Sequence, residues 1–395
     1  MLSIICCSIS YPPLVHNKGY PAVFRLSHSC GFSLRTAISA SVVSPITVEN
    51  PSDKDSFAAS YLINSCGLSP ETAISASQKV HFKTLDQPNS VLALFTSHGF
   101  TKTQIAKLIR KRPVFLLSDP QKTLLPKLQF FQSIGVSNAD LARTLAKDPT
   151  ILTRSLEKQI IPTYNFLKSV LQSDEKVVGS MKRTTWIFLE DYNKNLAPNI
   201  AFLRDIGVPE SCIKLLLTHF PEAIMQKPDQ FCETVNQIKE MGFDPSKSMF
   251  VLGVHALSGK GNRSIWDRCY VEYGKWGWSK DDILLAFTKH PNCMILSEKK
   301  ISRAMDFLVN KMGWESRMIS RCPGVLFFSL EKRIIPRCSV VHVLLLKGLL
   351  KGNVSLSTVL VPVEKYFLEK FVTKYEEEVP QLFSVYKGKV DALEI

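Results

Sequence analysis

Apolar residues recur at helical spacing in one segment of this chain after another. In three successive segments they are three residues apart: Leu128, Phe131 and Ile134, then Tyr164, Leu167 and Val170, then Ile200, Leu203 and Ile206. This spacing places them on one face of a short helix. Pro126, Pro162 and Pro198 precede these sets and fit a first helical turn, where a missing N–H costs no hydrogen bond. The pattern predicts a series of short amphipathic helices.

A glycine, or a residue standing in its place, follows each apolar helix at a nearly constant interval. Members of this column are 35 or 36 residues apart: Gly99, Gly135, Leu171, Gly207, Gly242, Gly277, Gly313 and Gly348. The chain holds only 18 glycines among 395 residues, so chance does not account for the period. Glycine at this place predicts a left-handed residue that ends the helix.

A second helix is predicted directly after each glycine. The sequences TKTQ, SNAD and SKDD, which begin at 101, 137 and 279, follow the pattern of a capping box. The helix should end before a second proline, because the residue preceding proline avoids the α region. These prolines are Pro113, Pro149, Pro221 and Pro291, with Thr185 instead in the third unit and an early Pro323 that shortens the seventh. The fifth unit (251–264) lacks this proline, and we expect looser stacking there.

Each unit is thus two short helices plus a connector, and it cannot bury its apolar face alone. Stacked units can do so. We predict an all-α fold, a superhelical α-solenoid of about eight tandem 35–36-residue helical pairs, with its handedness left open. The predicted domains are an organellar transit peptide (1–41), a linker with an N-terminal capping helix (42–80), the repeat domain (81–385) and a C-terminal tail (386–395).

The first 48 residues contain no acidic residue and are rich in serine, with Arg25 and Arg35. Such a composition is typical of organellar transit peptides, and a disordered tail is the alternative. No apolar stretch reaches the roughly 18 residues that a membrane-spanning helix needs, so we expect no membrane insertion.

The net charge of +14 indicates an anionic partner. Aligning the units arranges much of this charge in two columns. The first column lies two residues before the second proline: Lys111, Lys147, Arg183, His219, Val254, Lys289 and Arg321. The second column lies nine residues after that proline: Lys122, Lys158, Lys194, Gln230, Lys300 and Lys332. We predict that the ten basic members contact nucleic-acid phosphates.

Equivalent positions of a solenoid form a line, so these columns would be two cationic rows with charges roughly 10 Å apart. Eight units would then span about 80 Å, on the order of 20 base pairs of duplex. The alternative for the first column is that its cations only favour the helix dipole.

Several stretches resemble the mitochondrial transcription termination factor (mTERF) family in its plant form. They include SYLINSCGLSPETA (60–73), VLALFTSHGFTKTQIAKLIRKRPVFLL (91–117), VHALS (254–258), YGKWGWSKDDILLAFTKHP (273–291), MDFLVNKMGWESRMISRCP (305–323) and LEKRIIPRCSVV (330–341). The resemblance implies a curved superhelix of helical repeats, nucleic-acid binding on its basic side, and a role in organellar gene expression. It implies a mitochondrial location, with the chloroplast as the alternative.

Other candidate sites are weaker. SGKGN (258–262) lacks the spacing of a phosphate-binding loop. Tryptophans 276, 278 and 314 flank glycines and are expected in the core, and the scattered cysteines show no metal or disulfide pattern. His219 and His290 have no carboxylate at a fixed spacing. We therefore expect no enzymatic activity, no cofactor and no metal.

The leading prediction is a monomeric regulator of organellar transcription or its termination that binds double-stranded DNA. The alternatives are binding of structured RNA in RNA maturation or ribosome assembly, and a protein-binding scaffold. Other proteins of organellar gene expression are further expected partners.

Overall fold

The computed structural model describes residues 52–258, 261–350 and 354–390. Within these ranges the chain is helical and contains no strand, which confirms the predicted all-α solenoid. The predicted transit peptide lies outside the described residues, as does half of the predicted tail (391–395). Of the helices described, none is both long and apolar enough to cross a membrane.

The α-helices follow one another along the described chain with short connections. They are α1 (Ser52–Asn64), α2 (Pro70–Ser77), α3 (Asp86–Ser97), α4 (Lys102–Lys111), α5 (Leu125–Ser133), α6 (Asn138–Lys147), α7 (Ile161–Leu171), α8 (Asp174–Arg183), α9 (Leu196–Asp205), α10 (Glu210–His219), α11 (Pro221–Ile224), α12 (Pro228–Glu240), α13 (Ser248–Ser258), α14 (Asn262–Lys275), α15 (Lys280–Lys289), α16 (Glu298–Met305), α17 (Ser316–Ser320), α18 (Ile335–Leu346), α19 (Leu356–Leu360), α20 (Glu364–Phe371) and α21 (Leu382–Tyr386).

Helical pairs repeat along the chain as predicted. Counting from α3 and α4, the first helices of units one to eight are α3, α5, α7, α9, α12, α14, α16 and α18. The second helices are α4, α6, α8, α10, α13, α15, α17 and α19. A further pair, α1 and α2, packs together ahead of them, in the segment for which we predicted a linker and one capping helix. The second helix of unit seven, α17, is only five residues long, as its early proline predicted.

The glycine turns adopt the predicted left-handed conformation, with φ of 81° at Gly99 and 95° at Gly135. The third unit differs by one residue from the prediction. Gln172, with φ of 56°, holds the left-handed position there, and Leu171 is still helical. Leu171 is buried, so the helix has to continue through it before the chain can turn.

The connector of most units is a third helical element. In units one, two, three, six and seven a 3-10 helix begins at the second proline or its substitute: Pro113–Leu117, Pro149–Thr153, Thr185–Phe188, Pro291–Ile295 and Pro323–Phe327. In unit four the short helix α11 takes this place. The prediction of two helices plus a connector is therefore incomplete, because the connector itself is helical in these units. Proline presets a helical φ, and the next turn buries apolar side chains such as Phe115 and Leu116.

Short π-helical turns lead into three first helices and end a fourth. Pro120–Leu124, Leu156–Ile160 and Leu330–Ile334 precede α5, α7 and α18, and Asp306–Lys311 follows α16. Near the C-terminus, Thr373–Tyr375 forms one more 3-10 turn. With these π-helical turns included, the first helices α5, α7, α16 and α18 are longer than the bounds given above for their α-helical parts.

Buried residues form one continuous hydrophobic cluster from Tyr61 to Tyr386. The fifth unit belongs to it, so the expected loosening there is wrong. Its second helix, α13, buries Phe250 and Val254, and a Cβ at Gly253 would lie 3.2 Å from side-chain carbons of Ile238 in α12. α13 also packs against α10 of unit four and against α14 and α15 of unit six, so the fifth unit is stacked between its neighbours.

Two of the three predicted capping boxes are complete. Thr101 with Gln104, and Ser279 with Asp282, exchange both hydrogen bonds. Ser137 caps α6, but Asp140 does not return the bond and instead accepts from Lys182 Nζ at 2.6 Å. That carboxylate links the second helices of two neighbouring units.

Candidate nucleic-acid interface

The two helices of a unit run in opposite directions, which gives the stack two edges. We call the edge with the turns at Gly99, Gly135 and their equivalents the glycine edge. The proline edge carries the ends of the second helices, the 3-10 helices and the starts of the first helices. Gln159, at the start of the third unit's first helix, donates to the carbonyls of Phe188 and Leu189 at 3.1 and 2.6 Å. The start of one helix and the end of its partner thus meet at the proline edge.

The first predicted column lies at the carboxyl ends of the second helices. Lys111, Lys147, Arg183 and Lys289 are the last residues of α4, α6, α8 and α15, and Arg321 directly follows α17. All five are exposed. Lys111 Nζ donates to the carbonyl of Lys147, and Lys289 Nζ donates to that of Arg321 at 3.0 Å. Neighbouring members therefore lie side by side.

These two bonds also give the helix-dipole alternative a physical basis. The last carbonyls of a helix have no partner within it and carry partial negative charge. Lys111 and Lys289 each supply a donor to such a carbonyl in the next unit. Each ammonium has two further donors, so the contact leaves hydrogen-bonding capacity for another acceptor.

The second predicted column lies over the first turn of the first helices. The backbone N–H of Lys122 donates to Asp119 at 2.9 Å, and those of Lys158 and Lys332 donate to Ser155 and Ser329 at 3.1 and 3.2 Å. Lys194 lies in the turn before α9. These four side chains are exposed.

Lys300 differs from the other predicted contacts. Its side chain is half-buried, and its Nζ donates to the carbonyl of Phe327 at 2.9 Å. Burial lowers the pKa of this ammonium. Its role in the structure is to hold the end of the seventh unit's 3-10 helix, so no proposal below depends on Lys300.

A contact of this kind recurs between first helices and the turns that end their units. Lys127 Nζ donates to the carbonyl of Leu152 at 2.5 Å, and Asn199 Nδ2 donates to those of Ile224 and Gln226, both at 2.8 Å. Arg333 donates to the carbonyl of Leu360 at 2.8 Å. The sequence analysis missed these residues. In the sequence such residues can be found as a polar side chain, such as Asn199, on the apolar side of a first helix.

The predicted cations on the proline edge form no ion pairs within the described protein, although Asp148 lies near enough to Lys111 for the two charges to interact. Among the described residues, none of the ten predicted contacts has a carboxylate within ion-pair distance. The glycine edge contains pairs such as Lys168–Asp174 and Arg204–Glu210, both at 2.6 Å. The proline edge has pairs too, but they use other bases, as in Arg303–Glu331 at 2.5 Å. The columns therefore keep their positive charge, which attracts polyanions.

An exposed tryptophan lies between the two columns, and sequence reasoning missed it. Trp186 belongs to the 3-10 helix directly after Arg183, and 55% of its surface is exposed. The equivalent Val114 of the first unit is 44% exposed. The sequence did contain a signal for this exposure. At the position directly after the second proline, polar and apolar residues alternate from unit to unit, which is typical of an exposed position. Trp186 offers an exposed, flat apolar face three residues after Arg183 in the sequence.

The remaining sequence candidates fall into the core or on its margin. Trp278 is 4% exposed and stacks on Tyr273 with ring centroids 4.3 Å apart, while Trp276 and Trp314 pack partly buried against the core, as predicted. His219 is exposed, and His290 stacks on Phe327.

Some of the cysteines are buried like small apolar residues, and others are not. Cys212, Cys269, Cys293 and Cys338 are buried, whereas Cys232 and Cys322 are only partly so. Burial raises the pKa of Cys269 to about 11. In the part of the chain that the structure describes, no group of three or more His, Cys, Asp or Glu residues could hold a metal.

Fold and surface together define an α-helical tandem-repeat protein with a cationic edge. The family model described as mTERF matches residues 92–254 and 267–368, and the chain belongs to the mTERF family. The match omits 255–266, where the fifth unit departs from the regular repeat. A similar protein is the transcription termination factor MTERF15, mitochondrial, of Arabidopsis thaliana, which is 30% identical over 103 residues. This alignment spans 26% of the present chain and 23% of that relative.

Proposed function

We propose that this protein binds nucleic acid along its proline edge and regulates transcription or its termination in an organelle. The observation that carries the proposal is the repetition of exposed, unpaired Lys and Arg at equivalent positions of successive units. Family membership and the name of the Arabidopsis relative support the process and a mitochondrial location, with the chloroplast as the alternative. We propose a binding role and not an enzymatic one, because the units repeat cations and not catalytic groups.

Spacing favours a sugar–phosphate backbone as the ligand. Helices packed side by side are about 8–10 Å apart, so each row offers a cation at about that interval. Duplex DNA carries one negative charge per ~1.7 Å of axis, with a layer of condensed counterions. Lysine and arginine that replace those counterions gain affinity from their release, without reading sequence. Double-stranded DNA is our first target and structured RNA the second.

A salt titration tests this proposal. We expect the association constant for duplex DNA to fall by about 10³-fold or more between 50 and 200 mM salt, as for a protein with six or more phosphate contacts. Fluorescence anisotropy with labelled duplex DNA, an RNA hairpin and a single strand would measure it. Binding that does not change with salt, or no binding to any of the three, would contradict the proposal and favour a protein-binding scaffold.

A further inference from the structure

The cations of the proline edge form two groups along the stack, with a gap between them. We call the group in units one to four the N-terminal tract: Lys111, Lys122, Lys147, Lys158, Arg183 and Lys194. The group in units six to eight is the C-terminal tract: Arg263, Lys289, Arg321 and Lys332. Arg263 is exposed near the start of α14, one residue from the register of the second column.

Among the described residues, the gap extends from the second helix of unit four through unit five as far as Ser258. Its first-column members are His219 and the buried Val254, and its second-column member is Gln230. Burial and the nearby Arg183 lower the pKa of His219, which keeps the imidazole neutral at pH 7.

Carboxylates occupy this gap as well. Glu222 and Asp229 are both exposed there, with the exposed Lys227 between them. Glu222 has no acidic counterpart in the two tracts, whereas the counterparts of Asp229, Glu157 and Glu331, are each followed by an exposed lysine and Asp229 is followed by Gln230. Phosphates placed against these two carboxylates would be repelled. A sugar–phosphate strand that followed the whole edge without interruption would meet this repulsion.

The length of the gap matches the geometry of a double helix. The centres of the two tracts are about four units apart, which is roughly 32–40 Å at 8–10 Å per packed helix. One turn of duplex DNA is about 34–36 Å. A duplex viewed from one side presents backbone, then groove, then backbone again after one turn.

We propose that the proline edge binds a nucleic-acid duplex at two backbone segments about one helical turn apart, with units four and five facing the groove between them. This inference rests on the proposed function and specifies its ligand as double-stranded. Phosphate contacts of this kind set the position of the protein on the duplex, and groups facing the groove lie next to base edges.

Duplex length provides the first test. We would measure affinity and salt slope for mixed-sequence DNA duplexes of 10, 14, 18 and 22 base pairs, and for a 22-nucleotide single strand. We expect a step in both quantities between 10 and 18 base pairs, where the second tract first reaches a backbone, and a smaller slope for the single strand. A smooth rise with length, or an equal slope for the single strand, would overturn the inference.

Filling the gap provides the second test. In the variant Glu222→Lys/Asp229→Lys, the salt slope on the 22-base-pair duplex should change by less than about 0.5, because no phosphate faces those positions. Continuous contact along the edge would instead steepen it by about 0.9 for each new cation. Glu175→Lys/Asp281→Lys, which changes exposed acids on the glycine edge, is the matched control, and thermal melting checks the fold.

The two proposals fail in different ways. Absence of salt-dependent binding to any duplex would refute the proposed function itself. Salt-dependent binding with a smooth dependence on length, or with a slope that steepens when the gap is filled, would refute only the two-segment arrangement. An RNA duplex of 22 base pairs, run alongside, would show which kind of duplex is preferred.

Discussion

The proline edge and the glycine edge are built from the same helical pairs, yet cations repeat at equivalent positions of successive units mainly on the proline edge. On the glycine edge, polar groups pair within the protein, as in the capping box of Ser279 with Asp282 and the ion pair of Arg204 with Glu210. On the proline edge, no cation of the two columns forms an ion pair with a carboxylate among the described residues, although Lys111, Lys289 and Lys300 each donate to a backbone carbonyl. The proposed binding rests on this regular repetition of cations from unit to unit, which the exposed lysines of the glycine edge do not share.

The largest effect should come from removing cations of the N-terminal tract. We expect Lys147→Gln/Lys158→Gln/Arg183→Gln to lower duplex affinity at 0.1 M salt on the order of 10²-fold, and to reduce the salt slope by about 2.7, or 0.9 per lost contact. Anisotropy titrations would measure both. None of these three side chains donates to another part of the described protein, so the fold should persist.

The matched control removes the same charge from the glycine edge. Lys102, Lys176 and Lys280 are exposed in the first turns of α4, α8 and α15. Lys102→Gln/Lys176→Gln/Lys280→Gln should leave the salt slope nearly unchanged. If both triple variants weaken binding equally, net charge governs the affinity and the difference between the edges has no functional meaning.

A second prediction concerns what holds the proline edge in place. Asn199 is buried, and its amide donates to two carbonyls at the end of unit four. Asn199→Ala should lower the free energy of unfolding by about 2–3 kcal/mol, because two buried carbonyls lose their donor. Urea unfolding followed by circular dichroism would measure this. Asn193→Ala, at an exposed asparagine nearby, should cost less than about 0.5 kcal/mol.

A third prediction uses the histidine of the irregular fifth unit. Burial lowers the pKa of His255 to about 4, and its ring stacks on Phe220 with centroids 4.0 Å apart. Between pH 6.5 and 4 the unfolded chain binds a proton at this site and the folded chain does not, so stability falls as pH falls. We expect a loss of about 1.5 kcal/mol from pH 6.5 to 5. His255→Phe should reduce that loss, and an unchanged pH dependence would exclude this assignment.

The smallest effect should come from the glycine edge. Gly135 has φ of 95°, and no side chain lies close to the place of a Cβ, so the cost of Gly135→Ala is conformational. It should lower the free energy of unfolding by about 1–2 kcal/mol. Duplex affinity and salt slope should stay the same while the protein is folded. A change in salt slope would show that the two edges are coupled.

The regular features of this molecule could be predicted because they are local. Left-handed turns at Gly99 and Gly135, helix starts at Thr101 and Ser279, and breaks before the second prolines each depend on a few neighbouring residues. Because the period is nearly constant, the columns could also be aligned before any contact was known. In the third unit this alignment was wrong by one residue, since Gln172 and not Leu171 takes the turn position.

The amino-acid sequence by itself determined that this protein is a stack of helical units, and which residues occupy equivalent places in it. Only the tertiary structure decided what those residues do. In it Lys300 donates to a backbone carbonyl, Trp186 is exposed, and α13 packs between its neighbouring units. The reason is that periodicity specifies the place of a side chain within its unit, whereas its exposure and partners depend on neighbouring units distant in the sequence.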